Sequence, residues 1–216
     1  MSFNGSGVDT TEKERGPKKS VEPGIHKLAI ANVEFTKSTQ KETPGIKFTL
    51  MTQPVEGLKD ENGNTIGQKC VETWWMSPKA WDNNGNPDGK NWCTKARLAI
   101  LADKVGVREG YDAAKGNTAE EFVNAIASLF KGKKARFAVG GEEQSFENDE
   151  GKTIKFVKPM LLTFKFVESL DVADADTELK YDPNNEYHFI KMVEADAPSS
   201  FGGGDTTVDE GGDAPW

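Results

Sequence analysis

The stretch Gly24-Ile25-His26-Lys27-Leu28-Ala29-Ile30-Ala31-Asn32-Val33-Glu34-Phe35 decides how this chain is read. Leu28 and Ile30 alternate with Lys27 and Ala29, the period of a strand with one buried face. Beyond Ile30 the apolar positions change parity, and Val33 and Phe35 carry the pattern on. Strand side chains alternate between two faces, so a parity change within one long strand predicts a β-bulge and a sharp bend.

Outward from this strand, Pro44-Gly45 reads as a turn. Ile46, Phe48 and Leu50 then alternate with Lys47, Thr49 and Met51 as a second strand. After the polar turn 60–64, residues 68–76 form a third strand carrying Trp74 and Trp75. Residues 77–91 have turn chemistry at nearly every position and read as a loop. Leu98, Leu101 and Val105 fall at helical spacing in 92–105, with Gly106 as a stop. Thr118-Ala119-Glu120-Glu121 is a capping-box arrangement that opens a second helix, with Phe122, Ile126 and Leu129 along one face. Residues 134–139 alternate as a fourth strand, and 140–151 read as a polar hairpin. Residues 153–167 read as a long fifth strand with Met160, Leu162, Phe164 and Phe166 on one parity. Proline cannot donate to a ladder, so Pro159 assigns the start of that strand to an edge or bulge.

Three strands, a helical segment and two strands predict a mainly β fold. The architecture expected is a five-stranded, partly open antiparallel barrel with two helices between strands three and four, the OB-fold order. Small antiparallel α+β domains of other topology fit the same string. The expected organisation is a disordered segment 1–22, a folded domain 23–168 and a flexible acidic tail 169–216, within which 187–193 could form a short docking element.

Charge supports that division. The chain carries 27 basic and 35 acidic residues, a net charge of −8. Residues 171–216 hold twelve of the acidic side chains and only two basic ones. The remainder is close to neutral, so an acidic tail is attached to a balanced body. Hydrophobic residues make up 36%, a deficit that polar ends explain. Cys70 and Cys93 form no Cys-x-x-Cys pair and have only His26 and His188 to supplement them, which argues against a zinc site and for reduced thiols. The first 22 residues lack the apolar run of a signal peptide, and no stretch approaches a membrane span of ~20 residues.

Catalytic patterns are missing. There is no Gly-x-x-x-x-Gly-Lys-Ser/Thr, Gly-x-Ser-x-Gly, His-Glu-x-x-His or strand-linked Gly-x-Gly-x-x-Gly. The carboxylates Glu142, Glu143, Glu147, Asp149 and Glu150 fall in a Gly-flanked hairpin and read as a solvated loop. No enzyme, cofactor or metal is expected.

What the chain does carry is aromatic residues interleaved with cations on strands, and single-stranded nucleic acid offers phosphates and base faces to meet both. The candidate phosphate contacts are Lys47, Lys69, Lys131, Lys133, Lys134, Arg136, Lys152, Lys155 and Lys158. The candidate stacking residues are Trp74, Trp75, Trp81 and Phe156. Alternation sends Trp74 and Trp75 to opposite faces, one to the core and one outward. Trp81 lies in a Gly/Asn-rich stretch where burial is difficult, whereas Trp92 starts a helix and fits the core. Phe48, Phe137 and Phe164 match the buried parity. In the tail, Asp209, Glu210, Asp213, Pro215 and Trp216 combine charge with a large apolar ring, a composition suited to recruiting a partner or shielding a cationic groove.

These features together resemble phage-encoded single-stranded DNA-binding proteins of the OB-fold type. The resemblance rests on Pro23-Gly24-Ile25-His26-Lys27-Leu28, on Ile46-Lys47-Phe48-Thr49-Leu50, and on Leu129-Phe130-Lys131-Gly132-Lys133-Lys134-Ala135, in that order, across about residues 23–168. The tail is similar in design to the acidic, aromatic-ended tails of such proteins, many of which finish on Phe where this chain has Trp216. The resemblance implies non-catalytic coating of single strands in phage DNA replication, recombination and repair. It also implies replication or recombination proteins as partners of the tail, in the cytoplasm of an infected bacterium. Monomer and dimer both remain open. The competing expectation is a carbohydrate- or protein-binding β-domain using the tryptophans as a platform.

Overall fold

The computed structural model describes residues 18–82, 93–148 and 151–192. Within them the chain forms a mixed α/β fold: an open, partly antiparallel sheet with several helices. The strands are β1 (Gly24–Lys37), β2 (Pro44–Met51), β3 (Lys69–Trp75), β4 (Lys134–Glu147), β5 (Thr153–Leu161), β6 (Val167–Glu168) and β7 (Phe189–Ile190). The main path of the sheet runs β3-β2-β1-β4-β5, all antiparallel, with β6 and β7 attached to β4 and β7 parallel to it.

β1 carries the sheet. Its first half pairs with β4, from Gly24 opposite Val139 to Ala29 opposite Lys134. Its second half pairs with β2, and the register shifts between Ile30 and Asn32, where the sequence changes parity. Leu28, Ile30 and Val33 are therefore all buried despite the odd spacing, because the extra residue returns the apolar set to the core face.

β2 starts earlier than its turn chemistry suggests. Pro44-Gly45 is the first pair of the strand, and the reversal lies in 38–43, where the Ser38 amide donates to the Thr43 carbonyl. Inward-facing Ile46, Phe48, Leu50, Cys70 and Trp74 build the core beneath β2 and β3. Each such side chain contributes about 1.5–3 kcal/mol by leaving water.

Four helices, rather than two, lie between β3 and β4 among the described residues: α1 (Pro78–Asp82), α2 (Thr94–Lys104), α3 (Arg108–Ala113) and α4 (Ala119–Phe130). α1 occupies part of the predicted loop. Half of the expected capping box of α4 is present: the Thr118 hydroxyl accepts from the Glu121 amide, while the Glu121 carboxylate reaches one residue past the N-cap and accepts from the Asn117 amide. Its buried stripe is Val123, Ile126 and Phe130, one position round from the expected face; Phe122 and Leu129 pack only at the margin.

The predicted hairpin 140–151 is mostly strand. β4 runs on to Glu147, and the Asn148 amide donates to the Lys152 carbonyl just before β5 begins at Thr153. β5 does not extend to Val167. It stops at Leu161 and the chain loops out through Lys165 at φ 45°, then returns as β6 to pair with Arg136 and Phe137. Phe164 at the crest of that loop is 59% exposed, not buried.

The folded region extends past both expected boundaries. Val21 is buried and Ser20 bridges to Lys69. Beyond Glu168 the chain makes a 3-10 turn at Asp174–Asp176, buries Leu179 and pairs β7 with Gly141 and Glu142.

Candidate nucleic-acid interface

The register of β2 on β3 fixes one outward face. Gly45 lies opposite Trp75, Lys47 opposite Thr73, Thr49 opposite Val71 and Met51 opposite Lys69. Trp75 and Val71 are each 40% exposed. A β-carbon at Gly45 would stand 2.7 Å from the Trp75 ring, so the bare backbone of β2 is the seat on which that indole rests. On the next strand Ala29 pairs with both Met51 and Lys134, which puts Lys134 and Lys69 in one cross-strand row. At ~4.8 Å per strand they stand about 14 Å apart.

Trp74 is excluded from stacking on bases. It is 2% exposed, packs on Phe48 and Phe166 with ring centroids 4.8 and 5.5 Å away, and donates its indole N–H to Glu72 Oε1 at 3.2 Å. The Arg97 guanidinium covers its other side, 4.2 Å from the ring centroid. Glu72 shares the inward parity of Cys70 and Trp74, and its second oxygen accepts from the Leu161 amide at 3.2 Å. It thereby ties β3 to β5 where no ladder joins them. Burial pushes its carboxyl above the usual range against the pull of Arg97. Burial, with Glu72 nearby, also pushes the Cys70 thiol up to about 12, which removes it as a nucleophile. Sequence reasoning missed Glu72, although an acid on the buried parity between a cysteine and a tryptophan was a signal.

Arg136 is likewise not a phosphate contact. It is 3% exposed, and its guanidinium donates to Glu168 Oε2 at 2.6 Å, to the Val172 carbonyl at 3.1 Å and to Asp174. Lys27 holds the other Asp174 oxygen at 2.9 Å. The cause is β6, whose pairing on β4 sets Glu168 beside Arg136 and lays the following turn over that part of the sheet.

The remaining lysines separate into groups. Lys47 stands on the β2–β3 face, its charge shared with Glu34 at 2.7 Å. That bond holds the Glu34 carboxyl below its ordinary range. Lys69 and Lys134 are exposed at the two ends of their row, and Lys131 and Lys133 are exposed at the turn after α4. Lys152, Lys155 and Lys158 lie on the β4–β5 hairpin, where Lys158 stands 3.9 Å from Glu142. Phe156 there is 41% exposed and sits 5.9 Å from Phe146, which is 51% exposed.

Trp81 belongs to α1 and packs edge-on against Phe122 at 5.5 Å, half-buried. Trp74, Trp75 and Trp81 thus form no common platform. Trp92, Asp209, Glu210, Asp213, Pro215 and Trp216 lie outside the described residues. Among the described residues no group of three His, Cys, Asp or Glu side chains is placed to hold a metal ion, and no helix is long and apolar enough to cross a membrane. A scan against protein-family models and a search of curated proteins return no match to this chain.

Proposed function

We propose that the protein is a non-catalytic, largely sequence-independent single-stranded DNA-binding protein whose sheet is a partly open OB-fold barrel. What supports the fold reading is the strand order β3-β2-β1-β4-β5, the bulge in β1, the helices between β3 and β4, and the Glu72 bridge between the outer strands. The observation that carries the function is the outward face of β2 and β3. There the exposed Trp75 ring rests on Gly45, in a strip that also presents Val71, Lys47 and Lys69. An indole face stacks on any base and lysines meet phosphates, so such a strip suits a strand of arbitrary sequence. The role assigned is the coating of exposed strands in phage DNA replication, recombination and repair. The acidic segment 193–216 competes with DNA and engages replication or recombination proteins.

Anisotropy of labelled oligo-dT, followed at increasing salt, tests this. Wild type should bind with a log–log salt slope of about −0.7 for each phosphate neutralised. Trp75→Ala should bind about 5- to 150-fold more weakly, the loss of one stacked base. Absence of binding by the wild type, or equal binding by Trp75→Ala, would remove the reading or its site respectively.

A further inference from the structure

We propose a second station for the nucleic-acid strand: the cleft of about 680 Å³ between residues 18–23 and β5, whose walls include Lys18, Lys19, Lys155, Phe156 and Tyr181. The proposal rests on the single-stranded DNA reading above and extends it by joining Lys155 and Phe156, which the sequence offered, to Lys18, Lys19 and Tyr181, which it did not.

The cleft continues the sheet face. Ser20 bridges in parallel to Lys69, the Lys69 amide donates to the Lys19 carbonyl at 2.8 Å, and the Val21 amide donates to the Lys69 carbonyl at 3.0 Å. The backbone of Lys18 and Lys19 is therefore laid against the end of the outward row that starts at Trp75. Val21, 2% exposed, pins the segment by its side chain. A strand leaving the sheet face at Lys69 meets Lys18 and Lys19 next, with β5 as the opposite wall.

The composition of the cleft fits that ligand. Lys18, Lys19 and Lys155 line the wall, and its one carboxylate, Glu22, pairs with Lys18 at 2.5 Å. Phe156 contributes an exposed ring, and Tyr181 and Phe189 contribute half-buried ones. Cations beside flat rings recognise phosphates and base planes together. Gly141 leaves room for three residues of the cleft wall: a β-carbon there would lie 2.7 Å from Val157, 2.8 Å from Pro23 and 2.9 Å from Phe189. Without a side chain at 141 these three converge on the backbone.

None of the cleft residues is a tryptophan. The part of the tryptophan quenching that Trp75→Ala abolishes therefore reports the sheet face, and the cleft is read by oligonucleotide length. The test compares dT4 with dT16, the ends of the ~4–16 nucleotide range for one such unit. Two variants are used, Lys18→Ala/Lys19→Ala and Phe156→Ala, all at exposed side chains. For dT16, Phe156→Ala should weaken binding about 5- to 150-fold. The double lysine variant should flatten the log–log salt slope by about 1.4, two phosphates' worth. Quenching by dT4 should be unchanged in both. Wild-type dT16 binding by both variants would overturn the proposal. So would selective loss in the lysine variant of an acidic peptide carrying residues 205–216, with dT16 unaffected, since the cleft would then be a peptide site. Failure of wild type to bind either oligonucleotide would instead remove the DNA reading itself, and the cleft with it.

Discussion

Arg136 shows how a cation on an outward strand position is withdrawn from solvent by what folds over it. Its partners Glu168 and Asp174 both titrate below their ordinary ranges. For Glu168, burial alone would raise the carboxyl, but bonds from Thr177, the Glu178 amide and Arg136 outweigh it. For Asp174, the bond from Lys27 leads and that from Arg136 follows. Depressed carboxylates stabilise the fold at pH above their unfolded values, and that contribution is lost as pH falls through the folded ones. Denaturation followed from pH 7 to pH 3 should therefore show an acid-side loss of stability that is shallower in Glu168→Ala. At pH 7 the same substitution should cost about 3 kcal/mol, the lower end for a broken buried pair because Asp174 still holds the guanidinium. Undiminished stability at neutral pH would mean that the cluster does not clamp β6 to β4. Nothing local in the sequence announces this role. Arg136 sits in an alternating run like any solvent-facing cation, and its partner Glu168 lies 32 residues further on.

Gly45 makes the same point for an element. Its dipeptide with Pro44 carries the local signature of a turn, yet the two residues pair with Lys37 and Thr36 of β1 as the first rungs of the strand, and the missing side chain leaves room for the neighbouring indole. Gly45→Ala should lift the Trp75 ring from its seat and weaken oligo-dT binding toward the level of Trp75→Ala, while the melting temperature changes little. Wild-type affinity in that variant would show that the ring position is immaterial. Elements ruled by local chemistry were legible in the sequence: the bulge in β1 from its parity change, and the start of α4 from Thr118 and Glu121. Elements ruled by distant partners were not. β5 ends at Leu161 because β6 takes over the edge of β4 at Arg136 and Phe137. α4 packs on β1, which selects Val123, Ile126 and Phe130 from a broader apolar surface that also holds Phe122 and Leu129. Of the candidate site, alternation separated Trp74 from Trp75 without saying which was inside, and the grouping of lysines depended on cross-strand register.

At the scale of the molecule, the acidic segment divides in two. Residues 171–192 pack on the sheet and use Asp174 and Glu178 in ion pairs with Arg136, Lys27 and Lys165. Residues 193–216 hold six acidic side chains and no basic one. Deleting 194–216 should strengthen oligo-dT binding at low salt and have no effect at high salt, where screening removes the competition. Equal or weaker binding at low salt would count against shielding. The two-sided pairing of β1 bears also on how the chain is made. Its leading half waits for β4, roughly a hundred residues later, before it has a neighbour. At ~5–20 residues per second the ribosome leaves that margin bare for about 5–20 seconds. During this interval the nascent protein is open to pairing with another chain, so yield in the cell should depend on chaperone supply more than the stability of the finished fold would suggest.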